Sequence, residues 1–243
     1  MLSLAINTAT STSSFAIFDA NLKLLVEKSW PAKNNEAEKL LPEISKALKK
    51  LKKNFTDISS VIAVRGPGSF TGLRVGITVA NTIAHLNNAK LYAIDTFEYL
   101  WHARSEHGTE GAAISRSNSS LFPALLLYAG RGGVYVSFNH ENASKATLVN
   151  LPDLNSYLKK NKVKSVFGDI SEEQLLHVQE FMANRRTSTP PKSRNGSLKP
   201  KNQPKSLPGQ TSNSFSIVMQ AILKSKFLKP LALIEPIYIK KPY

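Results

Sequence analysis

The chain has 243 residues, enough for one large domain or two small ones, and 42% of them are hydrophobic, which is sufficient for a buried core. It contains no cysteine, which excludes disulfides and thiolate metal sites, and its formal net charge of +15 favours a polyanionic partner. No apolar run approaches the roughly 20 residues that span a bilayer, and residues 1–20 lack a signal-peptide pattern, so we expect a cytoplasmic protein that uses no membrane.

The sequence pattern of the first part of the chain predicts strands followed by an amphipathic helix. Three β-prone runs, at 2–7, 13–18 and 23–30, are separated by turn residues and predict a three-stranded meander. Residues 36–53 carry apolar side chains on one side and lysines on the other, which is typical of a helix lying on a core. We expect Pro42 either to kink this helix or to mark its first turn.

A second helix is predicted after a short buried strand and a glycine-rich turn. The apolar run at 61–64 predicts the strand, the turn at 66–68 breaks it, and Ser69 or Thr71 can cap a helix that runs to about Asn87. Small residues recur every four positions along this helix and line one face: Gly72, Gly76, Ala80 and Ala84. Such a stripe admits either close packing on the helix's own sheet or a docked partner helix, and the spacing alone favours internal packing.

The rest of the chain predicts further strands and helices around two polar segments. A strand at 90–94 and a helix at 96–104 are followed by a polar linker at 105–120. After the linker, strands are predicted at 121–128, 134–138 and 164–167, with a further strand candidate at 145–150. Helices are predicted at 152–160, at 171–183 and from 215. This order favours an α/β protein with mixed sheets and helices packed against them. Pro236 to Ile239 reads as an edge strand or extended tail.

A basic, proline-rich segment at 185–212 is predicted to be disordered. Between Phe181 and Ile234 the chain has ten Lys and Arg and no Asp or Glu, so ten of the fifteen excess charges lie there. The segment is either a flexible arm for RNA phosphates or a solvated insertion without a specific role. The absence of aromatic residues that could stack on bases favours the second interpretation.

The segment 66–76, Gly-Pro-Gly-Ser-Phe-Thr-Gly-Leu-Arg-Val-Gly, resembles the signature of the TsaB family. Residues 4–10 and 234–238 resemble the family at the expected places as well, and the resemblance covers residues 1 to about 100 well and the rest patchily. TsaB proteins are bacterial threonylcarbamoyladenosine-biosynthesis subunits and paralogues of the catalytic subunit TsaD.

The resemblance implies a two-lobed actin/hexokinase-like (ribonuclease-H-like) α/β fold, with mixed sheets flanked by helices. The first lobe would comprise residues 1–104 and carry the partner-binding helices. The smaller second lobe would comprise residues 119–243, including the disordered basic insertion at about 185–212. The C-terminal tail could return to the first lobe.

The resemblance also implies a function in tRNA modification. The chain would be a non-catalytic scaffold or activating subunit that dimerises with a TsaD-like catalytic subunit, with a TsaE-like ATPase joining them. The complex would form threonylcarbamoyladenosine next to the anticodon in tRNAs reading codons that start with A. This chain would contact tRNA only indirectly and bind no cofactor alone, while ATP and metal would sit on the partner subunits. The sequence leaves open a homodimer of the isolated chain, in which the same partner-binding face would pair with itself.

Several residues of this chain differ from those that a catalytic or metal-binding site would need. The family usually has Asp where this chain has Asn7, and an amide supplies no negative charge to a hard cation such as Mg²⁺. The family often reads Asp-Ala-Arg where this chain has Tyr128, Ala129 and Gly130. No two of the five histidines are three or four residues apart, and no phosphate-binding P-loop is present. We therefore expect no catalytic, cofactor-binding or metal-binding residue in this chain.

The partner interface is predicted on the helices at 36–53 and 70–87, as half of a four-helix contact. The first would supply apolar anchors and the second a close approach of backbones together with its glycine-turn residues. The predicted interface residues are Leu40, Leu41, Ile44, Leu48, Gly68, Phe70, Thr71, Gly72, Arg74, Gly76 and Ala80.

Two other functions remain open from the sequence. One is an ATP-dependent small-molecule kinase of the same fold, with Asp19, Asp95 and Asp169 as candidate carboxylates, although all three are placed naturally in turns or caps. The other is a tRNA-binding module that acts through the basic segment at 185–212. Binding of Mg-ATP by the isolated chain would favour the first, and tRNA affinity lost on deleting the segment would favour the second.

Overall fold

The computed structural model describes residues 1–105, 123–129, 132–138, 145–170, 215–224 and 228–238, and residues 174, 176 and 178. The strands are β1 Leu2–Asn7, β2 Thr12–Phe18, β3 Leu24–Pro31, β4 Ile58–Val64, β5 Lys90–Ile94, β6 Pro123–Tyr128, β7 Gly133–Phe138, β8 Thr147–Asn150 and β9 Ser165–Asp169. The helices are α1 Glu36–Lys50, α2 Phe70–Asn87, α3 Thr96–Ser105, α4 Leu151–Lys160 and α5 Phe215–Lys224.

The contacts of the chain divide it into two compact units. Among the described residues, unit 1 contains 1–105, 145–146, 215–224 and 228–238. Unit 2 contains 123–129, 132–138, 147–170 and residues 174, 176 and 178. The predicted linker at 105–120, most of the predicted helix at 171–183 and the basic segment at 185–212 lie outside the described residues, and so does Ile239.

Unit 1 is built on a five-stranded sheet in the order β3-β2-β1-β4-β5. Strands β1, β2 and β3 pair antiparallel with their neighbours, which confirms the predicted meander. Strands β1, β4 and β5 run parallel, with crossovers through α1 and α2. The sheet is therefore mixed, and the carboxyl ends of its three parallel strands meet at one edge.

Helix α1 ends at Lys50, three residues earlier than the hydrophobic pattern predicts. Lys52 adopts a left-handed conformation with φ of 54°, and the Lys53 N–H donates to the Leu48 carbonyl over 2.9 Å. A helix C-terminus is commonly closed in this way: one residue is left-handed, and the N–H of the next residue bonds to the carbonyl five positions earlier. Asn88 and Lys162 close α2 and α4 in the same way. Pro42 lies in the second turn of α1, so the prediction that it marks the first turn is wrong.

Helix α5 and the segment after it belong to unit 1, whereas the sequence placed residues 119–243 in the second lobe and allowed only the C-terminal tail to return to the first. The buried side chains of α5 join the core of unit 1: Phe215, Val218, Met219 and Ile222. The Phe215 ring lies 5.9 Å from the Tyr99 ring of α3. Leu231 then pairs with Leu91 of the edge strand β5, through a 2.7 Å bond from the Leu231 N–H to the Leu91 carbonyl. The apolar side chains of α5 thus complete a core that begins at Leu2.

Unit 2 contains a four-stranded sheet in the order β8-β7-β6-β9. The pairs β6–β7 and β7–β8 are antiparallel and β6–β9 is parallel. Helix α4 places three buried leucines in the core of this unit: Leu151, Leu154 and Leu158. Residue 174 also contacts the sheet, because the Gln174 side-chain amide donates to the Gly133 carbonyl over 2.8 Å.

Candidate functional site

The carboxyl edge of the parallel strands in unit 1 is where an α/β sheet usually holds a ligand. Asn7 ends β1, Arg65 follows β4 and Asp95 follows β5, so the chain brings these three polar residues to the same edge. Helix α2 begins at this edge after Ser69, and α3 begins there after Asp95. The hydrogen bonds of these residues decide whether the edge is open to a ligand.

Asn7 is 1% exposed and both atoms of its amide are used within the loop that follows β1. Its Oδ1 accepts from the Ala9 N–H over 2.9 Å, and its Nδ2 donates to Thr10 Oγ1 over 3.0 Å. Thr10 Oγ1 in turn donates to the Thr12 carbonyl over 2.9 Å. Because that hydroxyl gives its only hydrogen to Thr12, it needs a donor from residue 7, which an ionised Asp could not provide. Asn7 is a structural residue of this loop.

The same loop lies against the N-terminus of α2. The Ser69 N–H donates to the Ala9 carbonyl over 2.8 Å, and Ser69 Oγ accepts from the Gly72 N–H over 3.2 Å. Ser69 is therefore the N-cap of α2, as one of the two predicted caps. Gly68 permits the contact, because a Cβ there would lie 2.1 Å from the Ala9 carbonyl oxygen.

The small-residue stripe of α2 faces inward and is covered by the chain's own first loop. A Cβ on Gly72 would lie 2.1 Å from the Thr8 carbonyl oxygen, and one on Gly76 would lie 2.1 Å from Thr8 Oγ1. Ala80 is 0% exposed. These three residues cannot contact a partner in this structure, so their placement at the partner interface is corrected to packing within unit 1. Gly68 is half-buried beside Ala9, and its place at the interface stays a prediction.

The predicted apolar anchors of α1 are also internal. Leu40, Ile44 and Leu48 are at most 1% exposed and belong to the core of unit 1. The amphipathic pattern located this face correctly, but the face is covered by the chain's own sheet and helices. Leu41, the next residue along, is 45% exposed and remains on the surface.

Four of the predicted interface residues stay exposed, and we call them the outer face: Leu41 on α1, and Phe70, Thr71 and Arg74 on the first turns of α2. The Phe70 side chain is 58% exposed. Its ring is 5.3 Å from the Tyr238 ring and 5.3 Å from the guanidinium carbon of Arg74. An exposed aromatic ring held between a second ring and an arginine is the kind of surface that protein interfaces favour.

Tyr238 was not predicted at this surface, and nothing local in the sequence indicates it. It reaches Phe70 because the segment before it is bonded to α2 and to the turn after β4. Asn81 Nδ2 donates to the Ile234 carbonyl, and the Ile234 N–H donates to Asn81 Oδ1, both over 2.9 Å. The Ile237 N–H donates to the Arg65 carbonyl over 2.8 Å. The contact joins residues more than 150 positions apart.

Two acidic residues at the edge, Asp95 and Glu98, lie at the start of helix α3. Asp95 Oδ1 accepts from the Glu98 N–H over 2.8 Å, so Asp95 caps α3. Burial, and then the neighbouring Asp95 carboxylate, raise the pKa of Glu98, while Arg65 acts in the opposite direction.

Two of the three carboxylates considered for a kinase, Asp19 and Asp95, lie at opposite ends of the sheet in unit 1. Asp19 lies in the turn between β2 and β3, where its side chain accepts from the Asn21 and Lys23 N–H groups. That turn follows Phe18, which pairs with Ser3 near the start of β1, whereas Asp95 follows the opposite end of the parallel strands. Asp169 belongs to unit 2. Asp19 and Asp95 therefore cannot share one site.

Other kinds of site find no support among the residues that the structure describes. No group of three or more His, Asp or Glu residues in that part of the chain could hold a metal ion. Within the same ranges, no helix is both long and apolar enough to cross a bilayer. In unit 2, Tyr128 is 49% exposed at the end of β6, where the family often has Asp.

Comparison with known proteins finds similarity to proteins of threonylcarbamoyladenosine biosynthesis over part of the chain. A family profile described as TsaD, tRNA N6-adenosine threonylcarbamoyltransferase, matches residues 31–146. The tRNA threonylcarbamoyladenosine biosynthesis protein TsaB of Bacillus subtilis (strain 168) is 29% identical over 100 residues, 41% of this chain and 43% of that protein. TsaB of Buchnera aphidicola subsp. Baizongia pistaciae (strain Bp) is 32% identical over 104 residues, 41% and 46% of the two chains. These matches support assigning the chain to the TsaB family.

A solved structure supports the fold along nearly the whole chain. A Pseudomonas aeruginosa protein, described as uncharacterized with similarity to peptidase YEAZ, superposes with a TM-score of 0.60 at 17% identity, over 98% of this chain and 99% of that one. The predicted α/β class, with mixed sheets flanked by helices, is confirmed. The sequence match to the TsaB proteins named above spans less than half of their length.

Proposed function

We propose that this chain is a non-catalytic subunit of a complex that forms threonylcarbamoyladenosine in tRNA, and that it works by binding a TsaD-like catalytic subunit. The TsaB relatives named above carry this biosynthesis in their names. The tRNAs would be those that read codons starting with A, modified next to the anticodon. The observation that carries the partner-binding role is the outer face, where an exposed leucine and an exposed aromatic ring lie on neighbouring helices.

The outer face replaces the wider interface that the sequence predicts. Leu41 supplies an apolar side chain on α1, and Phe70 supplies an aromatic one at the start of α2. Thr71 and Arg74 lie beside Phe70 and carry polar groups. An interface of this kind places apolar anchors at its centre and polar groups around them. Fully burying a leucine or phenylalanine side chain contributes about 1.5–3 kcal/mol, so two such anchors would account for much of the affinity.

The hydrogen bonds of Asn7 support a complex in which other subunits bind the ATP and the metal. The amide at the end of β1 is committed to Ala9 and Thr10, so this edge carries no free acidic ligand from β1. We propose that ATP and metal reside on partner subunits, the catalytic one and a TsaE-like ATPase, and that tRNA is contacted mainly through them. In the absence of a partner, the same outer face is available to a second copy of this chain.

A matched pair of leucine substitutions tests the partner-binding role. Leu41→Asp places a charge on the outer face, at a leucine that is 45% exposed, and Leu25→Asp places one on β3, at a leucine that is 37% exposed. We expect Leu41→Asp to weaken binding of the organism's own TsaD-like subunit by at least about tenfold, measured by calorimetry, because an unpaired charge would be desolvated in the contact. Leu25→Asp should bind like the unaltered chain.

Thermal unfolding of both variants serves as the control, since neither leucine belongs to the buried core. Failure of the unaltered chain to bind the TsaD-like subunit would refute the proposed function. Equal binding by both variants would remove Leu41 from the interface.

A further inference from the structure

We propose that the C-terminal segment 231–238, which we call the strap, is a built-in part of the partner-binding surface. It holds the Tyr238 ring against Phe70 and so fixes Phe70 and Arg74 to receive an acidic side chain flanked by apolar groups on the partner. This inference rests on the proposed function, and it adds both a structural device and the chemistry of the partner's side of the contact.

The strap is attached to unit 1 at three evenly spaced residues. Leu231 donates to the Leu91 carbonyl over 2.7 Å, and Ile237 donates to the Arg65 carbonyl over 2.8 Å. Midway between them, Ile234 is bonded through both of its backbone groups to the Asn81 side chain, and its own side chain is 2% exposed. A side-chain amide that pairs with both groups of one residue reproduces the pairing of a neighbouring strand. These attachments set the path of the chain up to the residue before Tyr238.

Tyr238 therefore reaches Phe70 from a fixed backbone. Only one peptide unit separates it from the bonded Ile237, so the position of its Cα is largely determined. The two rings lie 5.3 Å apart with their planes tilted by 39°. Aromatic pairs at this separation contribute about 0.5–1.5 kcal/mol beyond the area that they bury. The pair restrains the Phe70 side chain, which is 58% exposed and would otherwise be free to change rotamer.

Arg74 completes the surface one helical turn after Phe70. Its guanidinium carbon lies 5.3 Å from the centre of the Phe70 ring, which is a cation–π contact. Stacking uses the flat face of a guanidinium and leaves its N–H groups available at the edges. None of the ion pairs formed among the described residues involves Arg74: they join Lys28 and Lys46 to Glu43, and Lys53 to Asp57.

These features identify the partner's chemistry. The N–H edge of Arg74 matches a carboxylate, which arginine can bind through two parallel hydrogen bonds. Phe70 and Tyr238 lie beside it and match apolar side chains. The neighbouring helix α1 exposes more cations than acids, so the complementary surface should be acidic. Its exposed charges are Lys39, Lys46, Lys49 and Lys50 against Glu38, and Lys46 is already paired with Glu43. Because the strap already orders Phe70 and Arg74, binding would lose less side-chain entropy than at a mobile surface.

Substitutions on the strap and on α2 test the proposal with the TsaD-like subunit as the probe. Tyr238→Ala should weaken binding about three- to tenfold, because it removes the aromatic pair, and Tyr238→Phe should restore it. Arg74→Glu should weaken binding more than Arg74→Lys, and Arg74→Ala should reduce the dependence of the affinity on salt. Circular dichroism and thermal unfolding of each variant check that unit 1 remains folded.

A second measurement examines the attachment itself. In Asn81→Ala, backbone amide hydrogens of the strap should exchange faster, and binding should weaken as in Tyr238→Ala. Unchanged exchange at Ile234 would overturn the role of Asn81. If Tyr238→Ala binds as tightly as the unaltered chain while Leu41→Asp does not, the strap is not part of the surface and the proposed function still stands. If the unaltered chain does not bind at all, the proposed function itself fails.

Discussion

One face of helix α2 is buried against its own chain, and the other is exposed. The inner face carries Gly72, Gly76 and Ala80. The loop after β1 lies so close to the two glycines that a Cβ on either would be 2.1 Å from an atom of Thr8, and Ala80 is 0% exposed. The outer face carries Phe70 and Arg74, which project from the surface. Small residues on this helix therefore mark a close contact with another part of the same chain, and large exposed residues mark a surface that a partner protein can still cover. The motif from Gly66 to Gly76 contains both kinds of position in eleven residues.

The inner face should be the more sensitive to change. Gly76→Leu would place a branched side chain where Thr8 Oγ1 lies 2.1 Å from the first added carbon. We expect a loss of roughly 3 kcal/mol or more in the free energy of unfolding, since overpacking a rigid contact forces backbone shifts. Urea denaturation followed by circular dichroism measures it. Thr78→Leu, at an exposed position of the same helix, is the control and should change stability by less than about 0.5 kcal/mol.

A double substitution sharpens the same contrast. Gly76→Ala should also destabilise, and Thr8→Ala in the same chain should recover part of the loss, because the next contact of the new Cβ is then the Cβ of residue 8 at 3.2 Å. Additive losses from the two substitutions would mean that Thr8 does not cover Gly76. A Gly76→Leu chain that folds normally but no longer binds the TsaD-like subunit would reopen the inner face as an interface.

The loop that covers the inner face gives the next largest effect. Asn7→Asp should lower stability at neutral pH by about 1–3 kcal/mol, because a carboxylate would face the Thr10 oxygen that now accepts from the amide. Protonation gives the carboxyl a hydrogen to donate, so the loss should shrink as the pH falls. Denaturation midpoints at pH 7 and pH 4 measure both quantities. Gain of Mg²⁺ binding by this variant, with unchanged stability, would contradict the structural role of Asn7.

The smallest effect belongs to the carboxyl edge beside the two faces. Burial and Asp95 raise the pKa of Glu98, so the folded chain binds this proton more tightly than the unfolded chain does. The stability that the group contributes is present below the ordinary carboxyl value of 4.5 and is lost as the pH rises through the raised folded value. Glu98→Gln should therefore stabilise the protein at pH 7, by less than about 1 kcal/mol because solvent screens a half-buried charge, and have little effect at pH 4. Equal effects at both pH values would contradict this account.

Much of unit 1 could be predicted from local patterns. Alternating and periodic apolar residues located its strands and helices, and Ser69 was identified as a possible cap because its hydroxyl can reach a free N–H three residues on. The end of α1 could not be predicted in this way. The left-handed residue that closes it is Lys52, whereas glycine is the usual signal at such a position.

The site was harder to predict than the fold because periodicity reveals a buried face without revealing what buries it. Leu40 and Leu41 are adjacent in sequence, yet the first is 0% exposed and the second 45%. Both fit an apolar anchor until the chain's own sheet is in place. Tyr238 was missed for a different reason: its position depends on Asn81 and Arg65, which lie about 150 or more residues away. No local pattern encodes such a contact.

The return of α5 to unit 1 has a consequence for how the protein is made. The ribosome releases residues 1–105 first, and the helix that covers the β2–β3 side of their sheet follows only after about 110 further residues. At about 5–20 residues per second, an apolar surface stays uncovered on the nascent chain for roughly 5 to 20 seconds. A chain cut before Phe215 would keep that surface open permanently, which makes early stop codons in this gene a source of sticky, aggregation-prone fragments.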